Sequence, residues 1–198
     1  MHISSYDHMK RIAEKYLNAD EKLNIYDLGS YDVNGSYKPI FDNPNWTYKG
    51  IDLEAGPNVD IVLNDPYRWP LEAESADVII SGQAYEHIEF FWETWMEMER
   101  ALKPGGRILL IAPSRGPEHR FPQDCWRFYP DGYHALAKYG GLGLDEVTTD
   151  WEPHAAECSH AWGDTVGVFH KPHRRLRGRI KRKVLLSLRR WLFRLTVK

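Results

Sequence analysis

Apolar runs in the first half of the chain break off on polar residues in a repeating way: Asp27 with Gly29 and Ser30, Asp52 with Leu53, Asn64 with Asp65, and Ser81-Gly82-Gln83. A first turn containing glycine lets backbone N–H groups come close to a ligand. An acid ending the next strand, about 20 to 25 residues further on, can accept both hydroxyls of a ribose. A second acid after a third strand is placed to accept from an adenine amino group. Any one of these residues could instead cap a helix or shape a turn. Their recurrence at successive strand ends favours a nucleoside ligand. The chain has no Gly-x-Gly-x-x-Gly run, which argues against a nicotinamide dehydrogenase.

A second group of reactive side chains lies in Arg115–Pro130, which holds His119, Asp124, Trp126 and Arg127. The segment is too long and irregular for a plain connection, and loops of this kind are often functional lids. His87 lies upstream, shortly after the fourth apolar run. Cys125 reads as a small packing residue, because nothing around it suggests a lowered thiol pKa.

The elements that must position these groups follow from hydrophobic periodicity. A helix is predicted over 5–18, where Met9, Ile12, Ala13, Tyr16 and Leu17 recur at helical spacing. Strands are predicted over 24–29, 47–52, 59–62, 76–81 and 106–112. Two more are expected near 144–149 and 165–170, after a short helix over 131–139. Residues 89–102 read as a helix that Pro104, Gly105 and Gly106 terminate. Nearly continuous apolar strands suit burial on both faces. The expected fold is therefore α/β: a Rossmann-like, doubly wound, mostly parallel sheet of about seven strands with helical crossovers, formed by residues 1–170.

Several of these segments resemble the class I S-adenosylmethionine-dependent methyltransferases, within them the small type-11-like enzymes of the surface-polysaccharide-associated kind. The resemblance rests on Tyr26-Asp27-Leu28-Gly29-Ser30, Gly50-Ile51-Asp52-Leu53, Asp77–Ser81 followed by Tyr85-Glu86-His87-Ile88, and Glu99–Arg107 with its Leu-Lys-Pro-Gly-Gly turn. It covers roughly residues 24–112. It implies S-adenosylmethionine as cofactor, held by Asp27, Gly29, Ser30, Asp52, Leu53, Asn64, Asp65, Ser81, Gly82 and Gln83. One departure stands out: Tyr31 and Val33 occupy places where the family usually has further glycines, so a longer or differently folded first loop is expected. The lid matches a His-x-x-Pro-x-Asp-x-x-Arg pattern of similar enzymes at His119, Pro122, Asp124 and Arg127.

Methyl transfer is an in-line displacement in which alignment supplies much of the rate, and a hydroxyl acceptor must also lose its proton. His119 is the first candidate base, with Asp124 orienting it or acting directly, and His87 is the second. Arg127 and Trp126 are candidates to hold an anionic or sugar-ring acceptor. No metal site is expected. The leading reading is O-methylation of a sugar or glycolipid precursor. The rivals are an RNA or other small-molecule methyltransferase, and a non-catalytic Rossmann-like module that recruits partners through its tail.

That tail is distinct in charge. Residues 171–198 carry 12 Lys and Arg and no acid, leaving 14 of the 26 basic residues against all 28 acids in the rest. On a helical projection Ile180, Val184, Leu188, Trp191 and Leu195 form one stripe, with Leu185 and Leu192 beside it. A basic amphipathic helix over 179–195 is expected, suited to an anionic membrane surface. Nucleic acid is disfavoured as a partner, because the basic residues are confined to the tail. Two cysteines, no apolar leader-like core and no run near the ~20 apolar residues of a spanning helix suggest a cytoplasmic protein, peripheral at the inner membrane face. Oligomeric state is not legible.

Overall fold

The structure is a computed structural model that describes residues 2–152 and 161–173 together with Val184, Leu185, Leu188, Trp191 and Leu192. Seven strands form one sheet: β1 (Leu23–Leu28), β2 (Trp46–Asp52), β3 (Ile61–Val62), β4 (Ala76–Gly82), β5 (Leu102–Pro113), β6 (Gly143–Thr149) and β7 (Asp164–His170). Their order is β3-β2-β1-β4-β5-β7-β6. The first five pair in parallel, and β7 runs antiparallel between β5 and β6. The chain turns back on itself between β1 and β4, so the carboxyl ends of those strands flank a topological switch point, where ligands of such sheets bind.

Alternation in the central strands feeds two cores. Val78, Ile80, Leu109, Ile111, Val166 and Val168 face α1 (Ile3–Tyr16), whose Met9, Ile12 and Ala13 are buried against them. Ile79, Ile108, Leu110 and Phe169 face the opposite way, toward α2 (Phe91–Ala101) and α3 (Pro130–Gly140). Trp95 of α2 is fully buried there, edge-on to Phe169 with ring centroids 4.7 Å apart. Gly141, at φ +60°, ends α3 in the left-handed conformation that glycine adopts without a Cβ penalty.

The expectation of helical crossovers needs correction. Among the described residues the β1–β2 connection holds only a 3-10 turn, Lys38–Phe41, and β2–β3 and β3–β4 carry no helix. These connections are short and contain Pro39, Pro44, Pro57, Pro66 and Pro70, each of which removes a helical donor. Leu63, Trp69 and Leu71 cover the sheet face in place of a helix. Arg100 of α2 clamps that segment, donating to the carbonyl oxygens of Leu71 (2.7 Å) and Trp69 (3.2 Å) while paired to Glu97.

The predicted Lys103–Gly106 stop is a bulge at the head of β5, with Gly105 at φ +86°. Of the tail stripe, the five described residues from Val184 to Leu192 are helical and exposed. Ile180, Leu195 and the basic residues expected on that helix lie outside the described residues, as does Cys158. Among the described residues no helix is long and apolar enough to cross a membrane.

Candidate active site

Three neighbouring strand ends bring the expected cofactor residues together. The Gly29 amide donates to the carbonyl of Ile51 (2.9 Å), and the Leu63 amide to that of Asp52 (2.7 Å), so the chain leaves β1, β2 and β3 side by side. Gly29 sits at φ +81°, and a Cβ there would lie 2.4 Å from Cβ of Ala84. Only glycine lets the first turn pass under the segment that follows β4. In place of the missing glycines, Tyr31 donates its amide to Asp52 Oδ2 (2.9 Å), and its ring stands where a Gly56 side chain would go. Asp52 Oδ1 accepts from the Leu53 amide at 2.7 Å. Oδ1 also takes a long contact from the Glu54 amide (3.5 Å), and a carboxylate oxygen so placed still has acceptor capacity for a ribose hydroxyl.

Asp65 shapes a turn by accepting from the Tyr67 amide (2.8 Å), and it and Asn64 are exposed, as is Leu53. Asp27 is buried one residue before the end of β1. Its Oδ2 accepts from the Tyr48 hydroxyl at 2.5 Å, and burial pushes its carboxyl up to about 7. Ser81 turns its hydroxyl inward to the Leu28 carbonyl (3.0 Å), tying β4 to β1. A side chain on Gly82 would meet the Tyr37 hydroxyl. Gln83, at φ +57°, donates to Asp164 Oδ1 (2.8 Å) and to Ser5 (3.2 Å).

These residues fit S-adenosylmethionine. Asp27 Oδ1, Ser30 Oγ and Gln83 Oε1 are buried without a hydrogen-bond partner among the described residues. Buried polar atoms are ordinarily paired, and three orphans on both sides of the β1–β4 switch point mark where a polar ligand would complete them.

The lid, residues 114–129, has no regular structure. Its amides of Cys125 and Trp126 donate to the carbonyl of Glu86 at 2.7 and 3.1 Å, which seats the lid on the 3-10 turn Tyr85–His87. Asp124, its side chain only 3 % exposed, is paired by both oxygens to the Arg127 guanidinium (2.5 and 2.8 Å) and accepts the His119 amide (2.8 Å). Arg127 holds the carboxyl far below the usual carboxylate range, with burial opposing. A carboxylate so committed braces the loop and is a poor base.

Arg127 also donates to the carbonyl oxygens of Pro117 and Trp126. Trp126 is pinned through Nε1 to the carbonyls of Ile88 and Glu89, both at 3.1 Å, and packs edge-on to Phe91. Both residues hold the lid. Cys125, expected to be packed, is exposed, and desolvation with the charges of Glu89 and Asp124 pushes its thiol up.

His87 and His119 come together with ring centroids 4.8 Å apart. His87 Nδ1 meets the Gln123 carbonyl at 2.5 Å, so that nitrogen carries the proton and Nε2 keeps its lone pair. Burial lowers the His87 pKa, favouring the neutral ring. Nε2 lies 3.7 Å from Oε1 of Glu86, a residue the site reading had passed over. Glu86 is fully buried, both its oxygens lack a partner among the described residues, and burial pushes its carboxyl up to about 8. An acid directly beside the candidate base His87 was the available signal. His119 packs at a tilt against Trp162 with ring centroids 4.5 Å apart, and Trp162 stacks on His2 at 5.3 Å. This rim is assembled from three distant parts of the chain and left no local mark.

Comparison with known proteins agrees with the geometry. Residues 44–110 match the family model for a Methyltransferase domain. The chain is 31 % identical over 117 residues to the ubiquinone/menaquinone biosynthesis C-methyltransferase UbiE of Syntrophotalea carbinolica, a match covering 56 % of this chain and 48 % of that one. The chain therefore spans about half the length of that curated relative. Among solved structures it is similar to YcgJ of Bacillus subtilis, with a TM-score of 0.65 at 15 % identity, covering 87 % of this chain and 100 % of that one. It is also similar to Haemonchus contortus phosphoethanolamine N-methyltransferase 2 in complex with S-adenosyl-L-methionine, with a TM-score of 0.63 at 14 % identity, covering 84 % and 52 %. The fold is the methyltransferase form of the Rossmann-like architecture. Within it, the stretch running from just before β2 into β5 is the one that matches the Methyltransferase domain model.

Proposed function

We propose that the protein is an S-adenosylmethionine-dependent methyltransferase acting on a hydroxyl of a sugar or glycolipid precursor. The observation that carries the first half is the set of buried, unpartnered polar atoms of Asp27, Ser30 and Gln83 around the switch point. When bound, the cofactor supplies a methyl group already activated as an electrophile. Asp52 accepts the ribose hydroxyls, Asp65 the adenine amino group, and the Gly29–Ser30 turn with Asp27 and Gln83 takes the methionine end. The acceptor is held beneath the lid, beside Glu86, His87 and His119. Those three residues offer lone pairs toward which a hydroxyl proton can leave. Trp126 and Arg127 act by fixing the lid over the acceptor.

A second reading, methylation of a ring carbon in a quinone precursor, is favoured by the 31 % identity to UbiE. The two separate when cells with and without the protein are fed methionine labelled with 13C in its methyl group and their glycans, lipids and quinones are compared. The first reading expects a glycan or lipid species to lose one labelled methyl whose NMR shift is that of an O-methyl carbon. A C-methyl carbon lost from the quinone pool would replace it with the second.

The tail belongs to the same proposal as a device for reaching a membrane-bound acceptor. Its 12 basic residues without an acid complement an anionic surface, each adding about 1 kcal/mol near it, and Trp191 with Leu188 and Leu192 is exposed for the interface. Full-length protein should sediment with phosphatidylglycerol vesicles and not with phosphatidylcholine vesicles, and salt should release it. Equal binding to both, or none, would remove the membrane role.

A further inference from the structure

The cluster beneath the lid has a composition that proton transfer alone does not require. Glu86, His87 and His119 each offer one ligand atom, and those atoms all lie within 4.8 Å of one another. Ligands about 2.0–2.2 Å from a shared ion fall within that spacing. His87 already has the arrangement of a metal-bound imidazole: Nδ1 is tied to a backbone carbonyl, and the bare Nε2 faces Glu86 Oε1 at 3.7 Å. Glu86 is fully buried with both oxygens unpartnered among the described residues, although Arg127, Asp124 and Asp164 are near enough to act on it electrostatically. A buried carboxylate is ordinarily paired or bound to a metal. His119 enters from the lid, with Nδ1 buried and unpartnered at 3.5 Å from Asp124, so the third ligand arrives only when the lid is seated.

From this we propose a mononuclear site for a divalent first-row transition-metal ion held by Glu86, His87 and His119. Two imidazoles and one carboxylate suit zinc, iron(II), cobalt(II) or manganese(II), whereas magnesium and calcium prefer oxygen ligands throughout. Three protein ligands leave coordination positions open. The further step, that an acceptor oxygen fills one of them, rests on the methyltransferase reading. In that case the two histidines would hold the acceptor's oxygen through the ion instead of taking its proton; the ion would lower that hydroxyl's pKa, its proton would leave to solvent water at the partly exposed His119 rim, and the resulting alkoxide would take the methyl group from the sulfonium, releasing the thioether. The expectation from sequence that the chain has no metal site is thereby revised.

The test uses tag-free, full-length protein stripped with a chelator and titrated with cobalt(II), followed by its visible absorption and by calorimetry. One ion per chain is expected, displaced by zinc and not by magnesium. His119→Ala and Glu86→Gln should each weaken binding at least about tenfold. S-adenosylhomocysteine calorimetry and thermal melts on the same samples check that the variants are folded. No saturable one-to-one cobalt binding, or unchanged binding in folded His119→Ala or Glu86→Gln protein, would overturn the site. Absence of S-adenosylhomocysteine binding by the wild type would instead defeat the cofactor reading and leave the metal result to stand by itself.

Discussion

On the β1–β3 side of the cleft, Asp52 and Asp65 accept from backbone amides of residues close in sequence or in the loop that follows the adjoining strand: Tyr31, Leu53 and Tyr67. On the β4 side, both carboxyl oxygens of Glu86 lack a hydrogen-bond partner among the described residues, and the lid that covers it is braced from within by the Asp124–Arg127 ion pair. The first arrangement presents fixed acceptors to a ligand whose shape does not vary. The second makes the acceptor pocket depend on a segment that must seat itself, with Glu86, His87 and His119 sharing a site only once it has. Under the proposed function, specificity for the nucleoside belongs to the sheet and specificity for the acceptor to the lid.

Perturbations of the two sides should differ in kind. The largest effect is expected from Arg127→Ala, which leaves the enclosed Asp124 charge uncompensated at a cost of about 3–5 kcal/mol. The loss should appear as a lower denaturation midpoint and as faster proteolysis within residues 114–129. Next is Gly29→Ala, where the left-handed backbone and the overlap with Ala84 together cost about 2–5 kcal/mol. S-adenosylhomocysteine binding should fall with stability there, whereas Arg127→Ala should spare much of that affinity.

A third contrast is in pH. Because the Glu86 carboxyl is raised from 4.5 to about 8, the folded chain keeps a proton that the unfolded chain releases over that interval. Stability of metal-free protein should therefore decline as pH rises through the window. Glu86→Gln should flatten the decline, giving a higher Tm than wild type above pH 8 and none of that advantage below 4.5. The smallest effect is expected from Trp126→Phe, which loses only the Nε1 contacts to two carbonyls, about 1 kcal/mol by denaturant melt.

The same division governs how much could be read without the structure. The strand ends were legible because each is local: an apolar run stops and a polar residue follows it. Five of the seven strands lie within a residue of their predicted spans, while β3 is shorter, Ile61–Val62 against 59–62, and β5 starts earlier, Leu102–Pro113 against 106–112. The crossovers misled, since alternating strands suggested helices where proline-containing connections fold flat under Trp69 and Arg100. The lid's irregularity was legible, but the task of Asp124 was not. A His and an Asp five residues apart suggest a base and its orienter, and only the fold shows that Arg127 has claimed the carboxylate. Glu86, Asp164, Tyr37 and Trp162 were not singled out, because burial and partners from distant segments give them their importance.

The proposed function requires Gly29, Asp52 and Asp65 to line one nucleoside site at the carboxyl edge of the sheet. Titrating S-adenosylhomocysteine into the wild-type protein and into Asp52→Asn, by calorimetry, tests it most directly. One-to-one saturable heat is expected for the wild type, with affinity at least about tenfold weaker in the variant, since hydrogen bonds to a charged acceptor contribute about 1.5–3 kcal/mol. Absence of saturable heat in the wild type, or equal affinity in a folded Asp52→Asn protein, would contradict it.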